Sequence, residues 1–277
     1  MVVIRLKGGT GNQLFQYAFG RALQAVGNDV YFDRYYFGVD DTRGYTLDHY
    51  NTDIKFHQTA GPVIPEHGLR YDPDNVRKYS IDCTLDGYWQ CEKYFLPVAD
   101  EIRRDLTLRN PVSEKTDKFR NLILGTPNSV FYHIRRTDNL SQRALSWHGY
   151  LPDSYYDRAR TYIEARVPNR HYFIFSDDIN WCKQNIRIPN STFVDANTPG
   201  LECDSEYVIR AKEGTQHEDL YLMSLCQHSI VGNSTFSWWA AWLNNNPDKI
   251  VTTPDEWFIG NNNHLSLDII PESWKRL

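Results

Sequence analysis

The sequence predicts an α/β protein built on parallel sheets, and three observations carry that expectation. Val2 to Leu6 is an apolar run that ends in the tight turn Gly8-Gly9-Thr10-Gly11, after which Asn12 to Val26 places Leu14, Phe15, Ala18, Leu23 and Val26 at helical spacing. The second half alternates short β-rich runs with helical patterns in the manner of βαβ units. A chain of 277 residues also suits two domains of ordinary size.

In order along the chain, Asn12 is placed to cap the first helix, Gly27 to stop it, and Val30-Tyr31-Phe32 to form the next strand. Asp40 to Asp82 is polar, contains Gly and Pro, and has no assignable period. Leu85 to Trp89 suits a strand and Ala99 to Leu108 a helix. A boundary fits either the polar stretch from Asn110 to Lys118 or Gly125-Thr126-Pro127-Asn128, and the division is taken as 1–125 and 126–277. Strands are then expected at Val130–Ile134, His171–Phe175, Thr192–Val194, Ser229–Val231 and Lys249–Thr252, with helices at Ser154–Val167 and Glu218–His228 between them. Ligands of open parallel sheets bind at the carboxyl ends of the strands, which draws Arg135-Arg136-Thr137-Asp138, Ser176-Asp177-Asp178, Asp195 and Gly232-Asn233-Ser234-Thr235 toward one crevice.

Composition narrows the function. A net charge of −5 and a pI near 6.0 exclude a broad nucleic-acid-binding face, so any basic site is local. The short N-terminal apolar run lacks the extended apolar region of a signal peptide, and no run approaches the ~20 apolar residues that cross a bilayer. Cys83, Cys91, Cys182, Cys203 and Cys226 are odd in number and show no C-x-x-C spacing, which suits a reduced, cytoplasmic protein. The eight Trp and eighteen Tyr either fill the core or stack on sugars.

Arg135 and Arg136, at the end of a buried strand, offer two planar forks that match a diphosphate without a metal; they also suit a surface pair held by Asp138. Asn233-Ser234-Thr235-Phe236-Ser237 opens an aromatic-rich helix with three hydroxyls in its first turn, an anion site by its free N–H groups, or a helix simply capped by Ser234. Asp177 and Asp178 suit either the N–H pair of guanine or helix capping. Gly8-Gly9-Thr10-Gly11 lacks both the Lys of a P-loop and the third Gly of a dinucleotide fingerprint. Asp72-Pro73-Asp74 is the only Asp-x-Asp of the kind metal-dependent sugar transferases use, and its setting is that of a turn.

Together, Gly8-Gly9-Thr10-Gly11-Asn12-Gln13-Leu14-Phe15-Gln16-Tyr17-Ala18, His133-Ile134-Arg135-Arg136-Thr137-Asp138, Phe175-Ser176-Asp177-Asp178 and Ile230 to Leu243 resemble the signatures of bacterial α-1,2-fucosyltransferases, glycosyltransferase family 11. The resemblance implies a GT-B fold, with two Rossmann-like domains facing a cleft, an acceptor-side domain first and a domain binding GDP-β-L-fucose second. It implies inverting, metal-independent transfer to the 2-hydroxyl of a terminal β-galactoside, with no cofactor, nucleic acid or membrane segment involved. By motif, Arg135 and Arg136 would grip the diphosphate, and the His133 backbone with Asp177 or Asp178 would read guanine. Asn233, Ser234, Thr235, Phe236 and Ser237 would close over the phosphates, while Gly11, Asn12 and Gln13 would approach the sugar and its diphosphate. For the acceptor proton, His148 is the candidate, with Asp138 and Asp219 as rivals; Asp138 also suits orienting the Arg pair and Asp219 capping a helix. The competing readings are a GDP-fucose transferase with another acceptor and a non-catalytic carbohydrate-binding protein.

Overall fold

The computed structural model describes residues 1–39, 43–136, 151–196, 201–203, 209–211, 215–258 and 260–277. The chain forms two compact units, Met1–Asn110 with His264–Pro271, and Pro111–Asn263 with Glu272–Leu277. The division therefore falls at the Asn110 end of the polar stretch and not at residue 125. The reason is a buried carboxylate: Glu218 accepts from the Ser113 N–H (2.8 Å), the Ser113 hydroxyl (2.9 Å) and the Thr116 hydroxyl (2.6 Å), which ties the helix Glu114–Leu124 to the second unit.

The first unit carries strands β1 (Val2–Arg5), β2 (Val30–Asp33), β3 (Val63–Pro65) and β4 (Cys83–Asp86), all parallel, in the order β2-β1-β4-β3. Between β1 and β2 runs helix α1 (Thr10–Ala25), which begins after Gly9 with no side-chain cap; Asn12 lies inside its first turn and is not the cap. Gly8 takes a φ of 79°, and a Cβ there would stand 2.6 Å from Asn12 Nδ2. Gly27, with φ of 88°, ends the helix as expected. At Gly20 a Cβ would meet Phe32 Cζ at 2.6 Å and Ile4 Cδ1 at 2.9 Å, so the bare backbone lets α1 lie against β1 and β2.

The unassigned region supplies β3, a three-residue edge strand ending in Pro65, where a missing N–H costs no ladder bond. Asp72-Pro73-Asp74 is a turn, with the Asp72 carboxylate accepting from the Asp74 N–H at 3.0 Å. A short helix, α2 (Tyr36–Val39), follows β2, and α3 (Ala99–Asp105) is briefer than its apolar pattern suggests. The segment His264–Pro271 rejoins this unit through Asp268, which accepts from the Tyr71 N–H at 3.1 Å and pairs with Arg70 at 3.4 Å.

The second unit begins with α4 (Glu114–Leu124). Its strands are β5 (Ser129–Ile134), β6 (His171–Ser176), β7 (Ser191–Phe193), a small antiparallel pair β8 (Leu201–Cys203) and β9 (Ile209–Ala211), then β10 (His228–Ile230), β11 (Val251–Thr253) and β12 (Lys275–Arg276). Among the described residues the main sheet is six-stranded and parallel throughout, in the order β12-β11-β10-β5-β6-β7. Helices α5 (Asp153–Glu164), α6 (Ile179–Asn185), α7 (Gln216–Leu225) and α8 (Thr235–Leu243) connect the strands. Val130, Tyr132, Tyr155, Ile163 and Ile174 fill one layer of core. Trp238, Trp239 and Trp242 of α8 pack on one another and, through Trp238, on Trp274, so these rings are core and not a sugar platform.

Parallel strands share one carboxyl edge, and on it stand Arg135-Arg136 after β5, Asp177-Asp178 after β6 and Gly232-Asn233-Ser234 after β10. Asp195 is drawn away: Lys183 at 2.7 Å and Lys115 at 3.4 Å hold it, and the Lys183 hydrogen bond lowers its pKa.

Candidate active site

The two guanidinium groups after β5 are held differently. Arg135 Nη1 donates to Ser234 Oγ at 2.8 Å, joining the end of one strand to the start of α8. Arg136 lies with its Cζ 3.5 Å from the centre of the Trp181 ring, a cation–π stack, and its Nε is 3.6 Å from Asp178 Oδ2. Its backbone N–H donates to Asp177 Oδ1 at 2.8 Å. Ordering both forks on one sheet edge concentrates positive charge there, the arrangement a diphosphate requires.

Asp178 follows the capping alternative: its Oδ1 accepts from the Trp181 N–H at 3.1 Å, at the N-cap of α6, and its own N–H donates to Ser176 Oγ at 3.0 Å. Asp177 fastens the Arg136 backbone. The same two residues thus order the Arg136 loop and its stacking partner. His133 is buried in β5, its carbonyl accepts from the Tyr156 hydroxyl at 3.2 Å, and its ring faces Phe236 at 6.2 Å. Gly232 lets β10 end close to that point, since a Cβ would lie 3.4 Å from the His133 carbonyl oxygen.

At α8, Ser234 occupies the N-cap position, yet its side chain does not cap the helix; the hydroxyl serves Arg135 instead. Ser237 is fully buried and donates back to the Ser234 carbonyl at 3.3 Å, so its hydroxyl turns away from the helix mouth. Thr235 and Phe236 are half-buried beside Ser234, and Asn233 is buried. Sequence reasoning missed Trp181 and Tyr156, because each acts on a residue of another element and leaves no local pattern.

In the first unit, the loop before α1 is fixed by Gln13. Its amide nitrogen donates to the Gly8 and Gly44 carbonyls (3.0 and 2.9 Å), and its oxygen accepts from the Thr46 N–H and hydroxyl (2.9 and 3.1 Å). Gln13 is wholly buried, and its side chain ties the two segments together. Gly11 is buried as well, while Asn12 is half-exposed with its Oδ1 accepting from Gln90 Nε2 at 2.8 Å.

Of the residues expected to move the acceptor proton, His148 and Asp138 lie outside the described residues. Asp219 stands half-buried inside the first turn of α7, whose N-cap is Thr215, so it is not the capping residue. Among the described residues no group of three or more His, Cys, Asp or Glu side chains could hold a metal ion, and no helix is long and apolar enough to cross a membrane.

The sequence model of Glycosyl transferase family 11 matches residues 72–261. An α-1,2-colitosyltransferase of Escherichia coli is 33% identical over 302 residues, covering 100% of this chain and 99% of that protein. Galactoside α-(1,2)-fucosyltransferase 2 of Pongo pygmaeus is 30% identical over 196 residues, covering 68% of this chain and 54% of its own length. Among solved structures, NodZ α-1,6-fucosyltransferase soaked with GDP-fucose superposes with a TM-score of 0.53 at 17% identity, over 87% of this chain and 92% of its own; NodZ comes from Bradyrhizobium. That likeness fits two α/β units on parallel sheets, the GT-B type of fold. With the family model matching well over half of its length, the chain belongs to glycosyltransferase family 11.

Proposed function

We propose that this protein transfers L-fucose from GDP-β-L-fucose to the 2-hydroxyl of a terminal β-galactoside, with inversion and without a metal ion. The observation that carries the reading is the Arg135 to Ser234 bond, which fixes a guanidinium fork at the mouth of α8. Cleaving the sugar–phosphate bond builds negative charge on the departing diphosphate and oxocarbenium character on the sugar. Donors already in place stabilise that state more than the ground state, since no reorganisation accompanies the charge.

In this reading Arg135, Arg136, Ser234 and Thr235 take the diphosphate. GDP is a good leaving group, so no general acid is needed. His148 is the proposed proton acceptor for the attacking hydroxyl. The likeness to a colitosyltransferase along the whole chain supports a second reading. Colitose is L-fucose without its 3-hydroxyl, so one site could take either nucleotide sugar.

The test is GDP release and product NMR with GDP-fucose or GDP-colitose and lactose, in EDTA. An α-1,2-fucosyl product formed at an undiminished rate in EDTA is the expected result. Preference for GDP-colitose selects the second reading, and loss of turnover in EDTA overturns metal independence. GDP-fucose hydrolysis with no glycoside formed from lactose overturns the proposed acceptor.

A further inference from the structure

Beyond the end of β2 the first unit presents aromatic rings to solvent: Tyr35 is 70% exposed and Phe56 41%. Phe56 is fixed beside that strand, because the Phe32 N–H donates to the Lys55 carbonyl at 2.9 Å and the His57 N–H to the Phe32 carbonyl at 3.1 Å. Arg34 lies with its Cζ 4.4 Å from the centre of the Phe56 ring and 5.9 Å from that of Tyr45, and those two rings meet edge to face with centres 5.7 Å apart. Phe37 backs Tyr45 at 6.0 Å. The Gly44 carbonyl, next to Tyr45, accepts from Gln13 at 2.9 Å, which fastens this ledge to α1.

Stacking orders the Arg34 guanidinium without occupying its N–H donors. Among the described residues, neither that guanidinium nor the Tyr45 hydroxyl has a hydrogen-bond or ion-pair partner. Burial, and after it the Asp48 carboxylate, push the Tyr45 hydroxyl up to about 12, so it keeps its proton and can donate. A sugar ring is the complement of such a surface. Its C–H face is apolar and suits exposed aromatic rings, while its hydroxyls suit a planar fork and a phenol. Asp33, just before Arg34, and Asp48, which acts on Tyr45, offset the guanidinium charge, and this favours a neutral polyhydroxyl ligand over an anion.

We propose that Arg34, Tyr45 and Phe56, with Tyr35 at the rim, bind the sugar acceptor, a neutral glycan ending in β-galactose. The inference rests on the function proposed above and gives its acceptor a contact surface. That surface lies wholly within the first unit.

The test compares wild type with Arg34→Met, which keeps an apolar stem on the Phe56 ring and removes the donors, and Phe56→Leu, which removes the ring. Arg166→Met is the control, since Arg166 lies over the Tyr162 ring at 3.7 Å in the second unit. The readouts are acceptor KM for lactose, donor KM, thermal unfolding, and saturation-transfer NMR of lactose with the protein in the absence of donor. Expected is an acceptor KM raised by roughly tenfold in Arg34→Met and in Phe56→Leu, with donor KM within about twofold of wild type and all three variants folded. The NMR signal of lactose fades in the same two variants and persists in Arg166→Met. Acceptor KM within about twofold of an active wild type in both ledge variants overturns the inference alone, as does an equal rise in Arg166→Met. If wild type forms no glycoside from lactose, the proposed acceptor reaction falls and the NMR experiment decides. A wild-type lactose signal lost in Arg34→Met upholds the sugar contact, and a signal that is absent in wild type or unchanged in that variant overturns it.

Discussion

Arg135 and Ser234 are 99 residues apart in sequence and joined by one bond, Nη1 to Oγ at 2.8 Å. It diverts the hydroxyl at the start of α8 from capping its own helix to orienting a guanidinium on the neighbouring strand end. A residue type favoured at helix starts thus serves the edge of the sheet.

Arg135→Lys keeps the charge and loses the planar fork. By analogy with deleting one oxyanion donor, a loss of about 2.7–4 kcal/mol in transition-state stabilisation is expected, or ~100- to 1,000-fold in kcat. Ser234→Ala, which leaves the guanidinium in place but unsteadied, is expected to fall between that variant and wild type. Steady-state kinetics with a GDP-sugar donor measures both, and near-normal turnover by Arg135→Lys would remove the bidentate role.

Trp181→Leu removes the ring beneath Arg136 while keeping an apolar side chain. A partly desolvated cation–π contact contributes about 1–2 kcal/mol, so the donor KM should rise by roughly five- to thirtyfold with little change in acceptor KM. Titration with GDP by calorimetry reads the same loss directly.

His148→Ala tests the proton acceptor. Positioned proton transfer contributes ~100-fold or more, so a decrease in kcat smaller than about tenfold would exclude His148 from that role.

Glu218→Gln should destabilise the second unit without touching the Arg135 edge. The buried carboxylate accepts from three donors, and an amide presents an NH₂ group to at least one of them. Charged hydrogen bonds contribute about 1.5–3 kcal/mol each, so a loss of that order is expected in chemical denaturation. Unchanged stability would show that the carboxylate does not hold α4 in place.

Stability should fall on mild acidification. Burial lowers the pKa of His228 below the ordinary 6.5, and its Nδ1 accepts from the Ile250 N–H at 3.0 Å, a bond only the neutral ring can make. His171 is lowered by the same cause. A base whose folded pKa is depressed contributes fully above its unfolded value, and that contribution is lost as pH falls through the folded one. Unfolding free energies measured from pH 8 down to pH 5 should decline below about 6.5, and His228→Asn should flatten the decline.

The ends of β5 and β6 were legible because Val130-Phe131-Tyr132 and Tyr172 to Phe175 are compact apolar runs, so the polar residues directly after each fall on one edge. β3 was not, since three residues ending in Pro65 carry no period. Within the motifs, residue type showed which positions are polar but not where each side chain turns. Gln13 and Ser237 read as ligand contacts, and their side chains carry hydrogen bonds within the chain that no residue-type rule shows. Asp178 could cap or recognise a base, and only its 3.1 Å bond to the Trp181 N–H shows capping. Partners such as Trp181 and Gln90 act across 45 and 78 residues of chain, distances at which no local spacing rule operates.

The return of His264–Pro271 to the first unit gives the two units different histories during synthesis. Residues 1–110 emerge from the ribosome early, but the Asp268 anchor for Tyr71 and Arg70 arrives only after nearly all of the second unit has been translated. The unit made first is therefore finished late. A cut at Asn110 would yield a first fragment lacking one of its own pieces, so separate expression of the two halves has to carry residues 264–271 in trans or graft them back.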